Sequence, residues 1–359
     1  MSRGTSLAMA KADERCSPPL RSLGSPRLAL IGCGAIAERH HLPALREYPA
    51  VMKDLILVDR DGDRAHYLAS RFGAKGALTD YRQALDDVDA VILTVPTNLH
   101  HPIAMECLSR GVHVLCEKPL AESASRAREM VEQASRTGAV LAANYLQRLW
   151  PQFAATRELL ASGSLGQLLS IKYFVGETFD WPSVSGFYFN SATCAGGVLR
   201  DRGAHVFDHI CWWLGAKPML LSSLTDSFGG PEAVAEVCFT KGSCVGEVRL
   251  SWLSTFPCRF ELQCESGTVK GEVYDFRSLL VQTGQRRERR IALPSGDRTK
   301  VDVGRRIVGD FINVISKGGS PLIAGRDVLD SVEFIDECYA AATRFGMPWY
   351  GISGAEYGT

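Results

Sequence analysis

The sequence predicts an α/β protein of two domains. The first is built on a parallel sheet with helices on both faces, and the second is an α+β domain with a large, mostly antiparallel open sheet. Three observations predict this. At 359 residues the chain exceeds one ordinary domain and is long enough to bury two cores. Up to about residue 147, short apolar runs alternate with amphipathic stretches of helical length, the rhythm of strand–helix–strand units. Beyond that point the runs lengthen, alternate apolar with polar residues and are divided by turn residues, as in hairpins.

In the first half, LALIG at 28–32 is expected to be a strand feeding a helix that runs to about Tyr48. LILVD at 55–59 is the next strand, followed by a helix through Arg71. AVILTV at 90–95, VHVLC at 112–116 and AVLAANY at 139–145 supply three more, with helical segments between them. The second half opens with a helix from Pro151 to Ser162 and a strand within LLSIKYFVGETF at 168–179. GGVLRDRGAHVFDHICWWLG at 196–215 reads as a helix. The β-rich runs after it turn at Lys241-Gly242 and Ser266-Gly267, and two helices at about 304–317 and 325–345 close the chain. The division expected is a tail over 1–26, a first domain over 27–147 and a second over 148–359. The tail is rich in Ser, Arg and Pro and lacks the apolar centre of a secretory signal, so it is expected to be disordered.

Composition excludes several classes. Forty basic and forty acidic residues leave no net charge and no basic field for nucleic acid. Eleven cysteines without a C-x-x-C pair suggest reduced thiols in a cytoplasmic protein and no zinc finger. No apolar run approaches the roughly 18 residues that span a membrane.

Gly32-Cys33-Gly34-Ala35-Ile36-Ala37 reads G-x-G-x-x-A directly after a strand and at the start of a helix. Gly32 permits the tight turn, and Gly34 lets the backbone approach a pyrophosphate. The small residue at the end of the motif lets the helix pack on the strand, with its N-terminus toward the phosphates. Asp59 ends the second strand, 25 positions after Gly34. Its carboxylate suits an adenosine ribose and repels a 2′-phosphate, which favours NAD; Arg60 and Arg64 nearby soften that preference, so NADP stays the alternative. The first domain is therefore expected to be a Rossmann dinucleotide-binding domain. Two further segments fall at the same carboxyl edge: Thr94 to His100, and Glu117-Lys118-Pro119. An ammonium there could hold a substrate oxygen and stabilise negative charge developing on it.

The ordered motifs GCGAIAERH, Asp59, TVPTNLHHPIA, CEKPLAES, GGVLRDRGAHVFDHICWWLG and the late DFINVISKGGSPLIAGRDVLDSVEFIDECYAAA resemble those of the Gfo/Idh/MocA oxidoreductases, relatives of glucose-fructose oxidoreductase and inositol dehydrogenase. The resemblance runs from about residue 27 to 346. It implies that Lys118 is the catalytic lysine, that Glu117 binds near the nicotinamide ribose and that the Lys118-Pro119 bond is cis. It places Pro96, Asn98 and His100 in the cofactor-contacting loop, with Thr94 before them, and Asn144 at a further nicotinamide-side contact. Asp201 and His205 match the acid and histidine of the inositol dehydrogenase branch.

The last pair also makes sense from spacing, since residues four apart on a helix share a face. A carboxylate at 201 can orient a substrate hydroxyl or the imidazole, and His205 can take the hydroxyl proton. His209 extends that face and raises a metal reading, but no further ligand is evident and each step of four drifts about 40° around the axis. No metal is expected, His209 is expected to pack in the core, and Asp208 to be a cap or surface group. Arg200 and Arg202 either bind an anionic part of the substrate or form salt bridges elsewhere. Trp181, Tyr188 and Asn190 lie in an aromatic-rich segment suited to the C–H faces of a sugar.

These readings imply an NAD(P)-dependent oxidoreductase. Its substrate would be a secondary alcohol or ketone of a sugar, nucleotide sugar or cyclitol, with no nucleic-acid or membrane partners, and the family resemblance implies a homodimer or homotetramer. Two rivals share the motifs: a glycosidase that oxidises its substrate transiently with bound NAD, and a non-catalytic cofactor or sugar sensor.

Overall fold

The computed structural model describes residues 25–182, 186–227, 230–294, 296 and 299–346; the expected tail lies outside them apart from its last two residues. The first sheet is parallel, with strands β1 (Leu28–Ile31), β2 (Ile56–Val58), β3 (Gly76–Leu78), β4 (Ala90–Leu93), β5 (His113–Cys116) and β6 (Leu141–Ala143). Their order, β3-β2-β1-β4-β5-β6, puts the reversal of winding between β1 and β4. That is where ligands of doubly wound sheets bind, beyond the carboxyl ends of the strands. Every residue of β1, β4 and β5 is buried, as expected of strands covered on both faces.

The covering helices are α1 (Leu42–Leu45), α2 (Pro49–Asp54), α3 (Gly62–Phe72), α4 (His100–Ser109) and α5 (Ala124–Thr137). The helix expected from the glycine turn to Tyr48 is not regular. Ala37–His41 form a π-helical turn that runs into α1, and Leu42 N–H bonds to Ala37 O, a five-residue step.

The second domain adds α6 (Pro151–Ala161), β7 (Leu168–Gly176), α7 (Ser191–Cys194) and α8 (Val198–Leu214). Strands β8 (Met219–Thr225), β9 (Val234–Lys241), β10 (Cys244–Ser251), β11 (Phe256–Cys264), β12 (Gly267–Glu272), β13 (Ser278–Thr283) and β14 (Arg289–Ala292) follow. Helices α9 (Lys300–Lys317) and α10 (Leu329–Ala340) precede a last strand, β15 (Ala342–Arg344). The nine-stranded sheet, ordered β14-β13-β12-β11-β7-β10-β9-β8-β15, is antiparallel except at β7–β10 and β8–β15. The final helix expected through residue 345 therefore stops at Ala340, and the chain pairs with the open edge of β8 instead. That edge offers unpaired backbone groups whose pairing outweighs the helical preference of Ala341, Ala342 and Arg344.

The two domains are not consecutive blocks. Ala142 pairs with Ala324 in an isolated bridge, and the Ala143 N–H reaches Ile323 O, so the late chain returns to the first sheet at β6. Asp336 on α10 accepts from the Ala124 N–H at the start of α5. These contacts fix the substrate-side elements over the carboxyl edge.

Candidate active site

The glycine turn is held by its neighbours. Gly32 has φ +103°, and a Cβ on it would lie 2.7 Å from the Thr94 backbone, so β1 and β4 close tightly there. Thr94, expected to touch cofactor, donates its hydroxyl to Gly32 O at 2.5 Å and Ile31 O at 3.1 Å; it fastens the turn. A Cβ on Gly34 would meet nothing within 4 Å, which leaves the open cradle a pyrophosphate requires in front of Ala35 and Ile36. Asp59 stands against the turn, accepting from Cys33 N–H at 2.6 Å and Asp61 N–H at 2.9 Å. Arg60 is exposed, and the arginine that reaches the turn is Arg64, which donates to Cys33 O at 2.9 Å and pairs with Glu38.

At the end of β5, Glu117 is a buried carboxylate. One oxygen takes the Asn144 amide at 2.5 Å and His41 Nε2 at 2.7 Å; the other takes the Lys118 N–H at 3.1 Å. Burial favours the neutral acid, but His41, Asn144 and Lys118 prevail and hold its pKa below the ordinary value. The next peptide bond, Lys118-Pro119, is cis. Asn98 Oδ1 and Asn144 Oδ1 are buried acceptors without a donor among the described residues. Together with the open cradle at Gly34 and the acid ending β2, these spare acceptors fit a dinucleotide along this edge. His100 is not available to it. Its ring is buried between Pro119 O at 2.8 Å and Val95 O at 3.0 Å, and it braces the two loops that carry Pro96, Asn98 and Lys118. Burial lowers its pKa, and a neutral ring donates to only one of those carbonyls.

Lys118 crosses to the second domain. Its ammonium pairs with Asp201 Oδ1 and donates to Asp201 O at 3.1 Å. Asp201 sits in the first turn of α8, where the helix N-terminus favours a negative charge. Burial works against that charge, but Lys118 and Arg202 outweigh it and keep the carboxyl below its usual pKa. His205 lies one turn further along the same face, half-buried, with its ring edge-on to Tyr145 at 6.3 Å. The start of α8 is itself fixed by the buried Glu232, which accepts from Gly197 N–H at 3.0 Å, Leu199 N–H at 2.9 Å and the Tyr339 hydroxyl at 2.8 Å. A Cβ on Gly197 would lie 1.9 Å from Glu232 O, so glycine is required for the helix to start here.

An aromatic group stands beside this pair. Tyr188 packs on Phe187 at 4.1 Å and Phe179 at 5.3 Å, with Trp252 at 6.4 Å. Burial, then the charges of Asp201 and Glu117, push the Tyr188 phenol well above its ordinary pKa, so it faces the site as a neutral hydroxyl. Trp181 lies instead on the first domain, stacked on His40 at 6.1 Å with Arg39 5.6 Å from its ring. Asn190 is exposed.

Arg202 takes the second of its two expected roles in part. It pairs with Glu177 at 3.1 Å, reaches Tyr274 Oη at 3.4 Å and lies 3.8 Å from Asp201, about a quarter exposed. Arg200 turns away entirely. It is buried against Asp336 at 2.9 Å and the Tyr339 ring at 4.9 Å, a salt bridge and not a substrate contact. Asp208 is neither cap nor surface group but a buried partner of Arg148, with two bonds of 2.7 Å. His209 stacks on Phe153 at 3.9 Å, faces the Tyr173 hydroxyl at 3.0 Å, and is driven down to a pKa of about 3 by burial. Among the described residues no group of three or more His, Cys, Asp or Glu could hold a metal ion, and no helix is long and apolar enough to cross a membrane. A cavity of about 620 Å³ also borders the N-terminus of α8, lined by residues such as Gly196, Glu232 and Tyr339; none of the predicted site residues lines it.

A Rossmann edge carrying Glu117 and Lys118, closed by an acid and a histidine from a second α+β domain, defines a class of nicotinamide-dependent oxidoreductases. The family comparison agrees. Residues 26–145 match the "Oxidoreductase family, NAD-binding Rossmann fold" and residues 153–270 the "GFO/IDH/MocA C-terminal domain". The chain belongs to the Gfo/Idh/MocA oxidoreductase family, with an NAD(P)-binding Rossmann domain.

Among curated relatives, dTDP-3,4-didehydro-2,6-dideoxy-alpha-D-glucose 3-reductase of Streptomyces violaceoruber is 34% identical over 50% of this chain and 52% of its own. A 4-carboxy-2-hydroxymuconate-6-semialdehyde dehydrogenase of Sphingobium is 36% identical over 39% and 44%. The chain spans between 44% and 63% of the length of the first relatives found. Among solved structures, levoglucosan dehydrogenase with NADH and levoglucosan superposes with a TM-score of 0.79 at 19% identity, over 88% of this chain and 96% of that one. A 3-ketoreductase from Actinomadura kijaniata with NADP and TDP-benzene gives 0.78 at 22%, over 90% and 100%. At these identities the superpositions establish the fold.

Proposed function

We propose that the protein transfers hydride between a nicotinamide cofactor and a secondary alcohol or ketone of a sugar, nucleotide sugar or cyclitol, with NAD used better than NADP. The observation that carries this reading is the meeting of Lys118 and Asp201 across the two domains, with His205 on the same helix face. The bound nicotinamide supplies or accepts the hydride. Lys118 donates to the substrate oxygen and stabilises the charge that builds on it. His205 takes the hydroxyl proton in oxidation and returns it in reduction. Asp201 holds the Lys118 ammonium in place, and its negative charge favours the imidazolium that forms.

The neutral Tyr188 hydroxyl and the aromatic faces beside it suit a ring that carries both hydroxyls and C–H faces. Relatives named for levoglucosan and for keto-deoxysugars support the sugar class. Asp59 beside the glycine turn supports NAD. The test is nicotinamide absorbance with purified protein, NAD or NADH, and a panel of cyclitols, sugars and nucleotide sugars. Lys118→Ala is expected to lose at least about 10²–10³-fold in turnover and to keep NADH binding. Near-normal turnover by that variant would refute the mechanism.

A further inference from the structure

We infer that His41 is a positioning residue for the cofactor: by bonding to Glu117 it ties the helix that follows the glycine turn to the nicotinamide end of the site. This rests on the proposed reading of Glu117 as a contact to the nicotinamide ribose.

His41 is the last residue of the π-helical turn Ala37–His41. The widened turn brings it against β5, where Nε2 lies 2.7 Å from Glu117 Oε1 with both side chains nearly free of solvent. A hydrogen bond to an ionised acceptor in such surroundings is among the stronger ones, and π-turns occur frequently at functional sites. Nothing else on the helix after the turn reaches Glu117; the other donors, Asn144 and the Lys118 N–H, come from strand ends near the nicotinamide side. His41 is thus the one bond by which the phosphate-binding segment sets the direction of that carboxylate. Its Nδ1 is buried without a partner among the described residues, so the ring makes this bond or none. A residue kept only for packing would not need an imidazole with an unmet nitrogen, since leaving such an atom unpaired carries a cost.

The test uses two probes, NADH and ADP, which share the adenosine half and differ at the nicotinamide half. His41→Leu matches the ring in bulk and removes the donor. It is expected to weaken NADH binding about tenfold and leave ADP binding within about twofold. His41→Gln carries an amide to roughly the Nε2 position and is expected to restore NADH affinity to within about threefold. In a Glu117→Gln background, His41→Leu is expected to change NADH affinity by less than about twofold, because the two residues act as one unit. Should His41→Leu not fold, His41→Asn, whose amide stops short of Nε2, takes its place in the cycle.

Unchanged NADH affinity, an equal loss for ADP and NADH, or the same loss with and without Glu117 would each overturn the inference. Wild-type protein that binds neither probe overturns the dinucleotide reading itself, and the role of His41 with it.

Discussion

Removing the ammonium at 118 separates what the Lys118–Asp201 pair does for stability from what it does for chemistry. The two side chains are 18% and 15% exposed, so the pair is mostly desolvated. Lys118→Met leaves Asp201 buried with Arg202, 3.8 Å away, and the N-terminus of α8 to offset its charge. Breaking a buried pair at one partner costs about 3–5 kcal/mol, and the remaining Arg202 and residual solvent bring the expectation to about 2–3 kcal/mol. In a chain of 359 residues that lowers Tm by about 3–4 °C.

The sign against pH follows from Asp201. In the wild type its folded pKa is depressed, so its contribution is present above the ordinary carboxylate value and is lost as pH falls through the depressed one. Without Lys118, burial is the largest remaining influence and it opposes ionisation. The stability gap between wild type and Lys118→Met should therefore be widest near neutral pH and shrink on acidification, as the buried acid takes up a proton. The double variant Lys118→Met/Asp201→Asn carries neither charge and should recover most of the loss while staying inactive. Thermal melts across pH, run beside turnover assays, check this. A Lys118→Met protein as stable as wild type at neutral pH, or a double variant no better than the single, would refute the reasoning.

Three further perturbations have expected outcomes. Asp59→Ser should improve NADP use relative to NAD by at least about tenfold and lower Tm, because the carboxylate also receives the Cys33 and Asp61 N–H groups; steady-state rates with both cofactors decide it. Gly197→Ala puts a methyl 1.9 Å from Glu232 O, so the start of α8 must shift; turnover should fall by about 10²-fold with NADH affinity retained. Asp208→Asn, in the buried pair with Arg148, should cost about 3–5 kcal/mol in denaturant melts while leaving KM for either substrate unchanged.

The features that could be read from sequence are those whose partners lie close by in the chain or whose geometry is repeated. The glycine turn needs only a strand before it and a helix after it, and Asp201 and His205 share a face because a helix repeats. Glu117-Lys118-Pro119 acquires meaning from the edge on which β5 ends. Contacts between remote segments were not legible. Nothing near Arg200 points to Asp336 on α10, and nothing near Asp208 points to Arg148, yet those pairs decide that Arg200 is structural and Asp208 buried. Glu177 and Tyr274, which hold Arg202, and Trp252, which packs beside Tyr188, come from three separate strand ends. His41 follows directly on the glycine-turn motif, in the segment expected to be helical, but its part depends on a π-turn, and amphipathic pattern does not distinguish that from an ordinary helical turn.

The central claim is that hydride passes between the nicotinamide and a carbinol carbon held by Lys118 and His205. It is tested most directly by isotope transfer. A sugar or cyclitol found active in the absorbance panel is supplied with deuterium at the oxidised carbon, and the NADH formed is analysed by mass spectrometry and NMR. Deuterium at nicotinamide C4, a slowed turnover from the labelled substrate, and loss of both in Lys118→Ala are the expected results. NADH that carries no deuterium, or substrate consumed with no net change in the cofactor, would contradict the claim.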